Sequence, residues 1–405
     1  MSLSVYKFGG TSVGSVEKIK KVADKVVADY RKGTKVVVVV SAMAGETDRL
    51  TKMAQSFSPN PSRREMDLLL SNGERVSASF LTIAINTLGV EASSLTGRQA
   101  GIVTDSMHSK ARIKRIDVGR LNEIIGAGGI PVVAGFQGIS EESEVTTLGR
   151  GGSDLTAVAI AHALKADQCI ICKDDVDGVY TSDPAVVPDA RRIPRISYVE
   201  MLEMSGLGAK VLHSRAVEMA AKYEVPIKVI PTFEEGEGTL IVKEDKRMES
   251  EIVSAVITDK NQSKITLLGV PDSPGIAAQI FGRIAKKNIV VDMIIQNVGG
   301  NNKTDLSFTV PQDDAAEAKV IAEDIADKIG ADNVKLDPKI GKISVVGVGM
   351  RSHSGVAARM FQALADENIN IMMISTSEIK ISCVISEKQL KKAANVLHKV
   401  FDLGA

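Results

Sequence analysis

The stretch Ser4-Val-Tyr-Lys-Phe-Gly-Gly-Thr-Ser12 leads into Val16, Ile19, Val22, Val26 and Tyr30 at helical spacing, and then into Lys35-Val-Val-Val-Val-Val-Ser41. It reads as strand, glycine turn, amphipathic helix and a second strand. The second strand is apolar and β-branched throughout, the pattern of a strand covered on both faces. A strand–helix–strand unit of this kind reads as a βαβ unit of a largely parallel sheet. Working outward, the same alternation continues. A long amphipathic stretch runs from Arg63 to Leu88, a small-residue helix from Leu155 to Leu164, and further strands are expected at Pro131–Phe136, Gln168–Cys172 and Pro226–Ile230. The expected fold class is therefore α/β, a mainly parallel sheet sandwiched by helices.

Near Gly236 the pattern changes. Phe233-Glu-Glu-Gly-Glu-Gly-Thr is rich in turn residues, a last strand is expected at Thr239–Val242, and the charged run Lys243-Glu-Asp-Lys-Arg247 reads as a linker. Beyond it lies an internal repeat. Lys264-Ile-Thr-Leu-Leu-Gly-Val resembles Lys342-Ile-Ser-Val-Val-Gly-Val. Each copy then reaches a glycine (Gly275, Gly355), a helix with a Phe (Phe281, Phe361), and Asn288-Ile or Asn368-Ile before another strand. The second half is thus a tandem module, and 405 residues are divided among more than one domain.

Composition narrows the function classes. Lys plus Arg and Asp plus Glu are 50 each, which disfavours nucleic acid or a membrane surface as the main partner. The apolar run Val36–Val40 is too short to span a bilayer, and the N-terminal residues do not read as a signal peptide, so a cytoplasmic location is expected. The three cysteines, Cys169, Cys172 and Cys383, fit a reducing compartment. Cys169 and Cys172 form a C-x-x-C spacing within a strand, where residues three apart face opposite ways, so they are expected to be buried thiols rather than a redox or zinc pair.

Four groups carry chemistry. Lys7-Phe8-Gly9-Gly10-Thr11-Ser12 places two glycines after a strand and before a helix, where backbone N–H groups and a lysine suit phosphate oxygens; it is not the Walker pattern. Thr146-Thr-Leu-Gly-Arg-Gly-Gly-Ser-Asp154 presents Arg150 between glycines, free to meet a carboxylate or phosphate with its planar fork. Asp174-Asp-Val-Asp-Gly-Val-Tyr-Thr-Ser-Asp-Pro184 follows a strand, where a doubly wound sheet places ligands, and lacks EF-hand spacing. Gly73-Glu74-Arg75 lies in the long amphipathic stretch. Each has an ordinary structural reading as a tight turn, a capped loop, an acidic turn or a surface ion pair.

Taken in order with Ser41-Ala-Met and Gly208-Ala-Lys-Val-Leu-His213, these motifs resemble the aspartate kinases, across essentially the whole chain. The resemblance implies an amino-acid kinase fold over residues 1–245, followed by two βαββαβ ACT-type regulatory units over 263–335 and 341–405. It implies ATP-dependent phosphorylation of the L-aspartate side chain to 4-phospho-L-aspartate, the first step toward lysine, threonine and methionine. By the same resemblance Lys7, Phe8, Gly9, Gly10, Ser41, Lys173, Asp174, Asp175, Tyr180, Asp183 and Pro184 belong to the ATP site, with Mg2+ carried by the nucleotide. Thr47, Glu74, Arg150, Gly151, Gly152 and Ser153 hold aspartate. Lys7, Asp154 and Glu74 are the catalytic set, with Asp154 positioning Lys7, and no resident metal is expected. The strand before Asp-Val-Asp-Gly is one residue longer than the family's run, which leaves open whether Asp174 or Asp175 takes the nucleotide position. Ser214 and Ser354 stand where the family has proline.

For the repeat, the resemblance implies feedback inhibition by lysine, threonine or both. In the first copy Asp272-Ser-Pro-Gly-Ile276 offers backbone N–H groups to an α-carboxylate, while Asn288 and Asp292 offer acceptors for an ammonium, with Gln296 expected in the same effector site. The second copy has His353, Ser354, Gly355, Val356 and Asn370, but Met372 stands where Asp292 stands in the first. Assembly as a homodimer or higher oligomer through ACT units is expected. Met248, just past the linker, is a candidate internal start for a separately translated regulatory subunit. The competing readings are a kinase for another amino acid and a non-catalytic ACT-type sensor.

Overall fold

The computed structural model describes residues 2–209, 211–244, 252–297 and 302–404. Met248 therefore lies outside the described residues. Two compact units divide the chain: Met1–Val179 with Arg192–Met248, and Tyr180–Arg191 with Glu249–Ala405.

The first unit contains β1 (Leu3–Phe8), α1 (Val16–Arg31), β2 (Lys35–Val40), α2 (Glu46–Phe57), α3 (Arg63–Leu70), α4 (Asn72–Thr87), β3 (Ala92–Leu95), β4 (Ile102–Thr104), β5 (Ile113–Ile116), α5 (Gly119–Gly126), β6 (Ile130–Ala134), β7 (Gln137–Ser140), β8 (Val145–Thr147), α6 (Gly152–Ala163) and β9 (Gln168–Lys173). A short ribbon of β10 (Val179–Tyr180) and β11 (Arg192–Ile193) precedes β12 (Arg195–Ser197), α7 (Tyr198–Gly206), α8 (Ser214–Tyr223), β13 (Ile227–Pro231) and β14 (Thr239–Val242). The main sheet has eight strands in the order β12-β14-β13-β9-β1-β2-β6-β3, parallel except where β13 meets β14. β1 lies between β9 and β2, in register from Val5↔Val37 and Val5↔Cys169. One face buries Tyr6, Phe8, Val36, Val38 and Val40 against Ile19, Val22 and Val26 of α1 and Leu81 and Ile85 of α4. The other face carries α6, whose residues from Gly152 to Ala161 are all buried, which explains its lack of a polar stripe.

Two departures from expectation belong to this unit. The amphipathic stretch Arg63–Leu88 is two helices, α3 and α4, meeting at Ser71. The Ser71 hydroxyl turns back to the Leu68 carbonyl (2.9 Å), and its own carbonyl accepts from Gln137 Nε2 (2.8 Å), so the joint is held by side-chain hydrogen bonds. A second sheet, β5-β4-β7-β8, was not foreseen; its three- and four-residue strands are too short to show a period.

In the second unit one six-stranded antiparallel sheet joins both repeats. It contains β15 (Ala255–Pro271), α9 (Ile276–Lys286), β16 (Ile294–Gln296), β17 (Lys303–Val310), α10 (Ala315–Ile329), β18 (Asn333–Val346), α11 (Val356–Asp366), β19 (Met373–Thr376), β20 (Lys380–Ser386) and α12 (Leu390–Val400), in the strand order β16-β17-β15-β18-β20-β19. The long strands β15 and β18 serve both copies. Gln262–Leu268 pairs with Asn333–Ile340 to complete the first, and Ala255–Asp259 pairs with Lys342–Val346 to complete the second. The second copy thus takes its fourth strand from residues ahead of the first copy, not from within 341–405. Tyr180–Arg191, expected inside a contiguous 1–245 domain, is grouped here: Val187 is buried with Met360, Leu364 and Leu397, and Thr181 Oγ lies 2.9 Å from His398 Nε2.

Candidate active site

Parallel strands present their carboxyl ends on one edge, and β1, β2 and β9 end side by side there. Their continuations are Gly9–Gly10, Ser41–Ala42 and Lys173–Asp174. The Gly9 carbonyl accepts from the Ser12 and Val13 N–H groups, and the Gly10 carbonyl from the Ala44 N–H (3.1 Å), which closes a turn ahead of α1. A Cβ at Gly10 would stand 2.5 Å from the Ala42 carbonyl oxygen, so only glycine lets the two loops approach this closely.

Lys7, on the last turn of the β1 pleat, is 5% exposed and its ammonium lies 2.6 Å from Asp154 Oδ1. Asp154 stands in the first turn of α6, where the helix dipole favours a carboxylate. Burial opposes its ionisation, but Lys7 together with Lys173 and His213 outweighs burial and holds its pKa below the ordinary value. Lys173, at the end of β9, is pushed in the same direction by burial first, against the pull of Asp154. Glu74, in the first turn of α4, is 4% exposed. Its Oε1 accepts the Ala42 N–H at 3.1 Å, whereas its Oε2 is buried with no hydrogen-bond partner among the described residues. Burial raises the Glu74 pKa to about 7, only partly offset by the Ala42 and Glu74 backbone N–H groups and by Lys7. A buried carboxylate oxygen without a donor is costly unless something brings one.

Asp174 is drawn to the glycine turn: it accepts from Thr11 Oγ and, at 2.9 Å, from Lys18 Nζ, which also donates to the Thr11 carbonyl. Asp175 is exposed. Of the two, Asp174 is the one held against the turn. Lys18 carries no sequence signal, because it sits on the solvent side of an amphipathic helix until Asp174 is placed. Ser153 is buried and lies against Gly135 at the end of β6. Arg150 is exposed, and no hydrogen bond or ion pair holds its guanidinium among the described residues. Thr47 is half-buried on α2. His213 was also missed as a site residue. It caps α8, accepting from the Arg215 N–H, and its ring leaves no space for a side chain at Gly151. Burial, with Arg215, holds its pKa below 6.5.

Other expected residues are held differently. The Phe8 ring is in the core, stacked on Tyr6, so only its backbone reaches the turn. Tyr180, Asp183 and Pro184 belong to the second unit, where Asp183 caps its own turn through the Ala185 N–H. Cys169 and Cys172 are fully buried on β9 and their thiol pKa values are pushed up by burial, Cys172 to about 12. Among the described residues no group of three or more His, Cys, Asp or Glu is placed to hold a metal ion. Asp154 and Asp174 are each committed to a lysine.

In the second unit Gly275 and Gly355 sit at equivalent left-handed positions capping α9 and α11, with Asp272, Ser273 and Pro274 exposed before one and His353 and Ser354 before the other. Asn288 turns the chain after α9 at φ 58, Gln296 and Asn370 are exposed, and Val356 is buried. Asp292 already has an ammonium: the buried Lys342 donates to it, with Asp259 4.0 Å away. The pair engages its Oδ2, and the residue itself is exposed.

The model of the amino acid kinase family matches residues 2–231, and that of the ACT domain matches 265–324 and 343–401. An aspartate kinase of Pseudomonas putida is 53% identical over 100% of this chain and 98% of its own length. Escherichia coli aspartokinase III is 25% identical in two solved structures. One, in complex with aspartate and ADP (R-state), has a TM-score of 0.78; the other, in complex with lysine and aspartate (T-state), 0.79. Each covers 98% of this chain and 99% of that one.

Proposed function

We propose how a chain that belongs to the amino-acid kinase family, and within it to the aspartate kinases, divides its reaction among its residues. The reaction moves the γ-phosphoryl group of ATP to the side-chain carboxylate of L-aspartate, giving 4-phospho-L-aspartate on the route to lysine, threonine and methionine. Lys7 and the Gly9–Gly10 backbone hold the phosphates, Ser41 and Lys173–Asp174 flank the nucleotide, and Asp154 fixes Lys7. Arg150 and Ser153 receive the α-carboxylate of aspartate, Glu74 its ammonium, and Thr47 closes the pocket. The observation that carries this reading is the buried Lys7–Asp154 pair beside a Glu74 oxygen with no donor of its own.

The chemistry needs little proton transfer. The acceptor carboxylate, with a pKa of about 3.9, is already ionised at neutral pH. The enzyme must bring two anions together and stabilise charge on the moving phosphoryl, which falls to Lys7, Lys173 and backbone N–H groups. ATP is taken as its Mg2+ complex, so the metal arrives with the substrate. The E. coli relative bound to lysine supports a regulatory role for the ACT pair, with lysine, threonine or both as effectors and with paired ACT units joining two chains or more. Synthesis of a regulatory subunit from Met248 remains part of this proposal, as does a cytoplasmic location; among the described residues no helix is long and apolar enough to cross a membrane. The test is a coupled assay with aspartate, ATP and Mg2+, with lysine and threonine titrated in. Turnover with glutamate or acetylglutamate in place of aspartate would favour another acceptor, and no turnover with any acceptor would favour a sensor.

A further inference from the structure

Asp67 is the one buried residue of α3 and is completely inaccessible, yet the reaction as described makes no use of it. Its carboxylate collects donors from two separate segments. The Ser109 N–H lies 3.0 Å from both oxygens, His108 Nδ1 lies 2.9 Å from Oδ2, and Thr147 Oγ donates to Oδ1 at 2.5 Å. A buried carboxylate is expensive, and one satisfied by three donors is expected to fix all of them in place.

Those donors form the base of the Arg150 loop. Thr147 ends β8, and Leu148, Gly149 and Arg150 follow directly. The Thr147 carbonyl accepts the Ala111 N–H at 2.9 Å, and Arg215 donates to the Leu148 and Ala111 carbonyls. Ser109 stands at φ 70, a backbone conformation a serine seldom adopts, and its N–H is the group Asp67 holds. Gly149, at φ 76, passes so near that a Cβ there would come within 2.9 Å of the Ser109 carbonyl oxygen. Asp67 therefore fixes both the surface over which Gly149 passes and the strand end from which it departs. Among the described residues Arg150 has no hydrogen-bond or ion-pair partner of its own to aim it.

We propose that Asp67, through Thr147 and Ser109, is a positioning residue that sets the direction of the Arg150 guanidinium and so the affinity for the amino-acid acceptor. This rests on the reading that Arg150 binds the α-carboxylate of aspartate. Small misplacements of a substrate clamp weaken reactions far more than they weaken folds.

The experiment measures the Michaelis constants for aspartate and ATP, kcat and Tm on Asp67→Asn, Thr147→Val, Thr147→Ser and Arg150→Lys. Thr147→Val should raise the aspartate constant about fivefold or more, and Asp67→Asn about tenfold or more, with the ATP constant within about twofold of wild type. Thr147→Ser, which keeps the hydroxyl, should restore aspartate affinity to within about twofold. Should Asp67→Asn fail to fold, the Thr147 pair decides. A lowered Tm in Thr147→Val with an unchanged aspartate constant would overturn the proposal, because it marks a purely structural carboxylate. Arg150→Lys separates the two layers. If it weakens aspartate while Thr147→Val does not, the positioning role alone is wrong; if it weakens ATP and spares aspartate, the reading beneath it is wrong.

Discussion

Glu74 offers a pH signature that few other groups in the site can mimic. Its pKa is raised by burial from 4.5 to about 7 in the free enzyme, and its Oε2 has no donor among the described residues. If the ionised form receives the aspartate ammonium, kcat/KM for aspartate must fall as pH drops below 7. At pH 6 only about one site in ten is ionised, so kcat/KM should stand about tenfold below its plateau. The kcat profile, measured with aspartate bound, should lose activity only at lower pH, because the ligand ammonium holds the carboxylate ionised. His213, whose pKa burial holds below 6.5, is separated from Glu74 by the Glu74→Gln variant, which removes the limb only if Glu74 causes it. Stability carries the same group with a definite sign. With the folded pKa above the unfolded one, the native state is unpenalised below pH 4.5 and loses stability as pH rises through about 7, by ~3 kcal/mol at full ionisation. Aspartate should therefore raise Tm more at pH 8 than at pH 6. The assays are initial rates at subsaturating and saturating aspartate between about pH 5.5 and 8.5, and thermal unfolding over the same range, on wild type and Glu74→Gln. A flat kcat/KM profile in wild type, or an unchanged limb in Glu74→Gln, refutes the assignment.

Four further outcomes are expected. Lys7→Ala removes the buried cation nearest the transferring group and should reduce kcat by about 100-fold or more, with a smaller change in aspartate binding; near-normal turnover would move the phosphate site elsewhere. Arg150→Lys keeps charge but loses the fork, and should raise the aspartate Michaelis constant well over about tenfold; calorimetric titration with aspartate and with an ATP analogue checks which ligand is affected. Lysine and threonine, singly and together, should inhibit at millimolar levels, with a coupling of about 1–3 kcal/mol between sites. Asp292→Ala should weaken that response and also cost about 1–2 kcal/mol of stability, because Lys342 is left buried without its near partner; an effector response equal to wild type would place the site away from Asp292.

What was legible in the sequence follows the range of the interactions. Lys35–Val40 and the Ile19-Val22-Val26 spacing announce buried strand and amphipathic helix because both depend on local periodicity. Lys7, Glu74, Arg150 and Asp154 were legible as motifs, and the structure brings Lys7, Glu74 and Asp154 to one edge of the sheet. The strands at Ile102–Thr104 and Val145–Thr147 were not, since three residues carry no period. Asp67 reads as one more polar residue of an amphipathic stretch until Thr147, 80 positions later, donates to it. Lys342 and Asp292, 50 positions apart, read as repeat landmarks and not as partners. His213 marked a motif, but its contact with Gly151 is a matter of packing that no spacing announces.

The shared strands β15 and β18 bear on how the molecule is made. During synthesis Ala255–Asp259 leaves the ribosome long before Lys342–Val346, so the first repeat can close while the second waits for a strand already exposed. That waiting strand, rich in β-branched residues, is an unpaired edge for the whole interval and a natural client for a chaperone. Deleting residues 341–405 would leave it permanently unpaired, and deleting 263–335 would separate the two halves of one sheet. A polypeptide begun at Met248 would retain Ala255–Asp259 and could complete the six-stranded sheet, but would lack Val187 and Thr181, leaving an unfilled apolar seat beside Leu364 and Leu397. Neither repeat is a removable cassette. The duplication visible in the sequence has become, in three dimensions, one indivisible object.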